Sequence, residues 1–199
     1  ADILIPHPKK CVIRVNRLTP DFEKRNYRVH LAVAPTKNSD RMEWFMEKAT
    51  ESGLDEFIPL LCRHSERKQL QHNRLEKVAI AAMKQSLKAW LPHISPLTAF
   101  EELVTAPFQG RKLIAHCLPG AKIHILSTVS PGEDVLILIG PEGDFSPEEI
   151  TLAKINGFEE ISLGISRLRT ETAALAACFA LAFINDKTSP PPLSTTERG

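Results

Sequence analysis

The sequence predicts an α/β fold in which a mostly parallel sheet is flanked by helices. Short apolar segments bounded by turn residues or charges alternate with segments whose apolar residues recur every three or four positions. The candidate strands cover residues 29–34, 56–61, 113–117, 135–139 and 160–163. Two glycine-containing loops follow strands of this set. Such alternation is typical of parallel sheets, whose strands are buried on both faces.

The first helical segments are recognised by their spacing and end signals. One pattern, residues 42–49, follows Ser39-Asp40 and ends at Gly53, a residue that suits a left-handed stop. A second covers residues 75–87, and a shorter third covers residues 99–104. Each lies between two candidate strands, as expected for the crossovers of a parallel sheet.

The helix that begins after Gly143 has the best-defined start in the sequence. Ser146 is placed to cap it, Pro147 suits its first position, and Glu149 completes a Ser-x-x-Glu capping box. We expect this helix to end near residue 156, with Gly157 as its stop. Because the helix start is fixed, the loop before it can present backbone groups to a ligand at little entropic cost.

Composition limits the functional class. The 199 residues are 43% hydrophobic and 25% charged, as in ordinary globular proteins, and the net charge of +1 does not by itself indicate a nucleic-acid partner. No apolar run is long enough for a membrane span and the first residues do not match a signal peptide, so we expect a cytoplasmic protein that does not bind membranes. Three of the four cysteines lie in apolar runs, which favours reduced, buried thiols, and we expect no metal site.

Two motifs carry the functional signal. Residues 139–149 read Ile-Gly-Pro-Glu-Gly-Asp-Phe-Ser-Pro-Glu-Glu, and residues 163–174 read Leu-Gly-Ile-Ser-Arg-Leu-Arg-Thr-Glu-Thr-Ala-Ala. Each places a glycine-containing loop between a candidate strand and a helix start, where open α/β sheets bind ligands. No G-x-G-x-x-G follows a strand and no P-loop is present, which counts against a dinucleotide-binding oxidoreductase and a nucleotide hydrolase.

Together these motifs resemble the signature of the RsmE family of the SPOUT superfamily, knotted enzymes that methylate N3 of a uridine in 16S ribosomal RNA. Residues 41–56 and 82–86 are also similar to segments of that family, in the same order, and the resemblance covers about residues 29–182. It implies S-adenosylmethionine as the cofactor, a C-terminal trefoil knot, a homodimer, and the 16S rRNA of the small ribosomal subunit as the partner.

The resemblance also implies a domain organisation. Residues 28–187 are expected to form the SPOUT methyltransferase domain. Residues 1–27 contain two strand-like segments joined by a turn and are similar to the last strands of the family's N-terminal PUA-like β-barrel, so we expect a remnant of that RNA-binding domain and a linker. Residues 188–199 are rich in proline, serine and threonine and are expected to be a flexible tail.

A methyl donor with an adenine ring needs apolar walls and a backbone that can come close, and the two motifs supply both. The residues suited to this slot are Leu138, Ile139, Gly140, Gly143, Leu163, Gly164, Ile165 and Leu168. By resemblance the cofactor site also includes His116, Glu142, Thr170, Thr172 and Ala173. His116 has a second interpretation as a satisfied histidine at a strand end. Asp144 stands where the family often has glycine, so we expect a variant loop there.

Catalysis requires that the proton on uridine N3 leave and that the resulting negative charge be stabilised, which an arginine can do. We assign this role to Arg169, just before a helix cap expected at Thr170; an ion pair of Arg169 with Glu142 or Glu171 is the structural alternative. Glu171 is expected to orient Arg169 or to act as a base, although complementing the helix dipole would also explain it.

Other residues are candidates for RNA contacts. We expect Arg167 to contact phosphate, and Gln85 and Ser86 to touch the substrate, with simple solvation as the alternative for the last two. Two further functions stay open at this point. One is a related SPOUT enzyme that acts on a ribose 2′-hydroxyl or on transfer RNA, and the other is a catalytically silent RNA-binding or assembly module with the same fold.

Overall fold

The computed structural model describes residues 1–186, which form a large mostly parallel sheet with helices on both faces and a separate N-terminal hairpin. The strands are β1 (Asp2–Ile5), β2 (Val12–Arg14), β3 (Val29–Val33), β4 (Glu56–Leu61), β5 (His93–Ile94), β6 (Thr98–Ala99), β7 (Arg111–Ala115), β8 (Ile123–His124), β9 (Val135–Ile139) and β10 (Glu159–Ser162). The helices are α1 (Ser39–Ser52), α2 (His72–Gln85), α3 (Phe100–Thr105), α4 (Ile125–Thr128), α5 (Pro147–Ile155) and α6 (Thr170–Asp186). The predicted α/β class is confirmed.

The five predicted strands are all present as β3, β4, β7, β9 and β10. The boundaries of β4 and β9 agree with the prediction, whereas β7 begins and ends two residues earlier than expected. Sequence reasoning missed β5, β6, β8 and α4, which have between two and four residues each. Segments this short carry too few apolar positions to show a period.

The order of strands in the large sheet is β5-β4-β3-β9-β7-β10-β8, with β6 paired to β4, and every pairing within it is parallel. Strand β9 lies between β3 and β7, although both precede it in the chain. After β10 the chain returns across the sheet, because α6 packs against α1 and β3. All strands point the same way, so the loops that follow β7, β9 and β10 leave the sheet at one edge.

Strand β9 shows why the sheet is buried on both faces. Val135, Ile137 and Ile139 belong to one apolar core, with α1, α2, α4 and α6. Leu136 and Leu138 belong to a second core on the opposite face, with α3 and α5. The alternation of side chains along a strand therefore divides one uniformly apolar run between two cores.

Helix caps follow the local sequence closely. The capping box of α5 is confirmed, because the Glu149 N–H donates to the Ser146 hydroxyl and the Ser146 N–H donates to the Glu149 carboxylate. Helix α1 is capped by Asn38, one residue before the Ser39-Asp40 pair expected to start it, and Gly53 ends it with a φ of 94°. The α5 helix starts immediately after the first motif, so the cap holds one end of that loop.

The N-terminal hairpin stands apart from the large sheet. β1 pairs antiparallel with β2, which confirms the two expected strands, and every residue of both is exposed. That they are a remnant of a PUA-like barrel stays a prediction. The tail predicted at residues 188–199 lies outside the described residues. Within residues 1–186, no helix has the length and apolar character needed to cross a membrane.

Candidate functional site

The two sequence motifs meet at the edge of the sheet formed by the carboxyl ends of the strands. The loop after β9 contains residues 140–146, and the loop after β10 contains residues 163–169. A hydrogen bond of 3.0 Å from the Thr170 hydroxyl to the Gly140 carbonyl oxygen joins the end of β9 to the start of α6. Thr170 is the first residue of α6. We expected its hydroxyl to cap that helix, but the hydroxyl instead joins the two motifs.

Asp144 fixes the first loop from within. Its φ is 63°, the left-handed conformation expected where the family often has glycine. Its carboxylate accepts one hydrogen bond from the Phe145 N–H and another from the Cys117 N–H, both at 2.8 Å. The second bond reaches the loop after β7. Both carboxylate oxygens are therefore committed to backbone donors, which offset the strain that this φ imposes.

The glycines of the first loop permit close packing. A β-carbon on Gly140 would lie 3.1 Å from the Phe145 ring, and one on Gly143 would lie 3.1 Å from the β-carbon of His64. His64 also places its Nδ1 3.0 Å from the Asp144 carbonyl oxygen. Sequence reasoning missed this role of His64, because no local pattern indicates that the β4–α2 loop packs against the β9–α5 loop.

The same β4–α2 loop is fastened to α5. The Arg63 N–H donates to the buried Glu149 carboxylate at 2.8 Å, and the Arg63 guanidinium pairs with Glu148 at 3.0 Å. The other Glu149 oxygen serves the capping box. Glu149 therefore links α5 to the β4–α2 loop, through Arg63, and to the end of the first-motif loop, through Ser146. The β4–α2 loop and α5 together hold the first-motif loop in place.

The cofactor-site residues predicted from the second motif have a more open environment. Gly164 has a φ of 124°, a conformation that favours glycine, and no atom lies within 4 Å of where its β-carbon would be. Ile165 is fully exposed, and Leu163 and Leu168 are half-buried. By contrast, the Leu138 and Ile139 side chains are buried in the two cores, which leaves only their backbone near the loops.

His116 lies at the end of β7 and is enclosed, with its side chain 2% exposed. Its Nδ1 accepts a hydrogen bond from the Leu118 N–H at 3.2 Å, so its proton is on Nε2, which lies 3.0 Å from the Glu160 carboxylate. Burial, reinforced by the charge of Lys122, lowers the pKa of His116 below 6.5. Both ring nitrogens have partners, which favours the structural interpretation; a cofactor contact of His116 stays a prediction.

Arg169 is exposed and, within the part of the chain that the structure describes, its side chain takes part in no ion pair or hydrogen bond. The expected alternative, a pair with Glu142 or Glu171, is not formed. Glu142 instead accepts a hydrogen bond from the Lys37 N–H at 3.2 Å, and Glu171 lies 3.6 Å from Arg41. Glu171 therefore does not orient Arg169, whose guanidinium is available to a ligand.

Glu171 is the least satisfied polar group near the motifs. It is 5% exposed, lies in the first turn of α6, and follows the residue that joins the two loops. Its Oε2 is buried and has no hydrogen-bond partner among the described residues, and its Oε1 has only the ion pair with Arg41. Buried carboxylate oxygens normally find donors, so this one calls for a functional explanation. The partner Arg41 lies in the segment 41–56 that resembles the family, but its contact with a residue so distant in sequence was not predicted.

The expected RNA-contacting residues are divided between two ends of the molecule. Arg167 is exposed in the second motif. Gln85 is exposed and Ser86 donates its hydroxyl to the Ala82 carbonyl at 2.7 Å, at the end of α2. The residues just after α2 line a groove with Gly53, the residue that ends α1. Gln85 and Ser86 therefore lie at the opposite edge of the sheet from the loops, and one chain does not bring them to Arg169.

The last two residues predicted for the cofactor site, Thr172 and Ala173, lie beside Glu171 in α6 and are half-buried.

Comparison with known proteins identifies the family. A family model described as an RNA methyltransferase domain matches residues 23–182. The ribosomal RNA small subunit methyltransferase E of Mesomycoplasma hyopneumoniae is 32% identical over 178 residues, which cover 86% of this chain and 76% of that protein. The chain belongs to the RsmE family of RNA methyltransferases. Several other relatives of the same name are longer, and the chain spans from 51% to 62% of their length.

Solved structures of similar proteins agree with the RsmE assignment and with a SPOUT-type fold. A protein of Porphyromonas gingivalis described as an rRNA-methyltransferase is 44% identical, with a TM-score of 0.78 over 81% of this chain and 69% of that one. A Legionella pneumophila protein described as a methyltransferase, crystallised with bound S-adenosylmethionine, is 31% identical with a TM-score of 0.74, over 80% of this chain and 67% of the other. No group of three or more metal-ligating side chains occurs within residues 1–186.

Proposed function

We propose that this protein is an S-adenosylmethionine-dependent methyltransferase that modifies N3 of a uridine in the 16S rRNA of the small ribosomal subunit. The observation that carries the proposal is the joining of both motifs into one site by Thr170 and Gly140, with the unpaired Arg169 just before it. The RsmE relatives supply the substrate class, and a related structure contains the methyl donor.

The residues of the site fit such a donor. Gly140 and Gly143 form a loop whose packing fixes its backbone, and Gly164 leaves open space on the facing loop. The buried, unpartnered oxygen of Glu171 provides negative charge for a cationic molecule. When bound, S-adenosylmethionine supplies an activated methyl group on a positively charged sulfur. The side chains of Leu163, Ile165 and Leu168 provide the apolar wall that an adenine ring requires.

Arg169 performs the electrostatic part of the reaction. Loss of the N3 proton to water leaves negative charge that is spread over the uracil ring and its oxygens, and a guanidinium beside them stabilises that charge. Because Arg169 has no ion pair among residues 1–186, no internal contact has to break before it meets the base. The protein otherwise acts by alignment, since methyl transfer requires donor and acceptor to lie in line. Glu171 contributes by binding the methyl donor, and it does not take the proton from uridine N3.

The oligomeric state, the domain organisation and the RNA-contacting residues are inferred from the family and from exposed side chains. We infer a cytoplasmic homodimer with residues 28–187 as its methyltransferase domain, and a remnant of the RNA-binding domain in residues 1–27. Trp44 is 42% exposed and Ile165, in the second motif, is fully exposed, so both large apolar side chains are available to a second protomer. A second protomer would also allow Gln85 and Ser86 to reach RNA held at the loops of the first. Arg167 would bind phosphate.

The experiment that tests the proposal compares the chain with its Arg169→Ala variant. Small ribosomal subunits that lack the modification are incubated with isotopically labelled S-adenosylmethionine, and the modified nucleotide is identified by mass spectrometry. We expect labelled 3-methyluridine from the unchanged chain and a rate about 100-fold lower from the variant, with donor affinity unchanged.

Arg167→Ala is the matched control, because Arg167 is an exposed arginine in the same loop. It should raise the KM for the ribosomal substrate and leave kcat nearly unchanged. Undiminished turnover by Arg169→Ala would remove Arg169 from the mechanism. Donor binding without any methyl transfer to small subunits or their RNA would favour a silent RNA-binding module, and label on a ribose or on transfer RNA would favour a different SPOUT activity.

A further inference from the structure

The carboxylate of Glu171 is unusual in its lack of partners. Among the described residues, its Oε2 is the buried side-chain oxygen without a hydrogen bond, and the Glu171 side chain is only 7% exposed. A buried ionised carboxylate is costly unless it is paired and hydrogen-bonded. The fold keeps it directly after Thr170, the residue that joins the two glycine loops.

The partner that Glu171 does have is incomplete. Arg41 Nε lies 3.6 Å from Oε1, which is ion-pair distance but longer than a hydrogen bond, and the Arg41 side chain is itself 36% exposed. The first turn of α6 adds the positive end of a helix dipole. These contacts stabilise a negative charge on Glu171, but neither of them gives Oε2 a hydrogen-bond donor.

Other carboxylates beside the first loop are already engaged. Asp144 accepts two backbone hydrogen bonds, and Glu149 accepts from Arg63 and Ser146. Glu148 is exposed and paired with Arg63. Glu171 therefore differs from these neighbours, because it combines burial with a carboxylate oxygen that accepts no hydrogen bond from the described residues.

We infer that Glu171 is an anionic subsite for a positively charged group of the methyl donor, an inference that rests on the proposed function. S-adenosylmethionine carries two such groups, the sulfonium and the α-ammonium. Its product S-adenosylhomocysteine keeps the ammonium and lacks the sulfonium charge, and 5′-methylthioadenosine has neither. If Glu171 faces the sulfonium, the site binds donor more tightly than product and thereby helps product to leave.

The test is calorimetric titration of these three compounds into the unchanged chain and into Glu171→Gln, which preserves the shape of the side chain. We expect Glu171→Gln to weaken binding of S-adenosylmethionine about tenfold and to leave 5′-methylthioadenosine unchanged. Weakening of S-adenosylmethionine alone assigns the subsite to the sulfonium, and equal weakening of S-adenosylhomocysteine assigns it to the ammonium. Equal change for all three compounds, or no change for any, overturns the inference.

Two controls distinguish a loss of the Glu171 subsite from a general loss of charge and from a loss of folding, and the unchanged chain itself tests the proposed function. Glu148→Gln removes an exposed carboxylate beside the same site and should change none of the three affinities. Thermal unfolding without ligand should show that Glu171→Gln is folded and unfolds in one cooperative transition, as the unchanged chain does. If the unchanged chain binds none of the compounds, the proposed function fails before the inference is reached.

A second variant covers the case in which Glu171→Gln does not fold. Arg41→Gln removes the cation that competes for the Glu171 carboxylate. It should raise the affinity for S-adenosylmethionine relative to 5′-methylthioadenosine, because the ligand is then the main partner of that charge. A ratio equal to that of the unchanged chain would contradict the inference.

Discussion

The hydroxyl of Thr170 donates a hydrogen bond to the carbonyl oxygen of Gly140 across 3.0 Å, and both residues are buried. The two residues are 30 positions apart in the chain, and each belongs to one of the two motifs. This contact makes one site of two loops. It also places the start of α6, with Glu171, directly beside the loop that follows β9.

Replacing Thr170 by valine should loosen this connection. Valine has nearly the shape of threonine but no hydroxyl, so the buried Gly140 carbonyl would lose its donor at a cost of about 1–3 kcal/mol. We expect that loss in urea unfolding, together with weaker binding of S-adenosylmethionine in calorimetry. Thr170→Ser retains the hydroxyl and should retain affinity. Equal affinities for the valine and serine variants would show that the bond does not order the site.

Asp144 gives a second prediction, because its two hydrogen bonds offset a strained backbone. Asp144→Ala keeps the positive φ, which alanine tolerates poorly, and removes the acceptors for the Phe145 and Cys117 N–H groups. We expect lower stability and about tenfold weaker binding of the methyl donor. Asp144→Asn tolerates the same φ and keeps one acceptor oxygen. Its stability and its affinity for the methyl donor should therefore lie between those of the unchanged chain and those of Asp144→Ala. An alanine variant that binds as well as the unchanged chain would show that these bonds are dispensable.

The pair formed by His30 and Glu56 predicts a pH dependence of stability. The hydrogen bond from His30, aided by one from Ser95, lowers the pKa of Glu56 below its ordinary value near 4.5. A lowered pKa means that the folded state binds the proton more weakly than the unfolded state. The stabilisation is therefore complete above about pH 4.5 and is lost as the pH falls through the lower folded value.

Denaturant unfolding of Glu56→Gln checks this sign. The difference in free energy of unfolding between the unchanged chain and the variant should shrink as the pH falls below 4.5. Taking the difference removes the contribution of titrating groups that lie far from residue 56. A difference that grows as the pH falls would contradict the assignment.

The cysteines make a fourth prediction. All four are free thiols, as expected from the sequence, but Cys11 and Cys117 are exposed and only Cys62 and Cys178 are buried. Burial raises the pKa of Cys178 to about 11 and that of Cys62 further still, which leaves both unreactive. Ellman's reagent should therefore label two thiols rapidly in the folded chain and all four in denaturant. Rapid labelling of three or more in the folded chain would mean that one of the cores opens.

Much of the fold could be predicted because its signals are local. The apolar run of β9 and the Ser146 capping box each lie within one short segment, and both were confirmed. The exact start of α1 is harder to predict, because Asn38, Ser39 and Asp40 are all good capping residues and the structure uses Asn38.

The site could be predicted only in part. Both motifs lie at the edge of the sheet where they were expected. The support from His64 and Arg63 and the pairing of Glu171 with Arg41 join residues far apart in the chain, and no spacing in the sequence encodes such contacts. For the same reason, the sequence did not indicate that Glu171 pairs with Arg41 on α1, and the alternative of an ion pair between Arg169 and Glu171 is not formed.

The most direct test of the account is a calorimetric titration of this chain with S-adenosylmethionine, with NADH as the control ligand. We predict saturable binding of one S-adenosylmethionine per chain and no binding of NADH. Absence of S-adenosylmethionine binding by a folded chain, or equal binding of NADH, would contradict the claim that the joined glycine loops form a methyl-donor site.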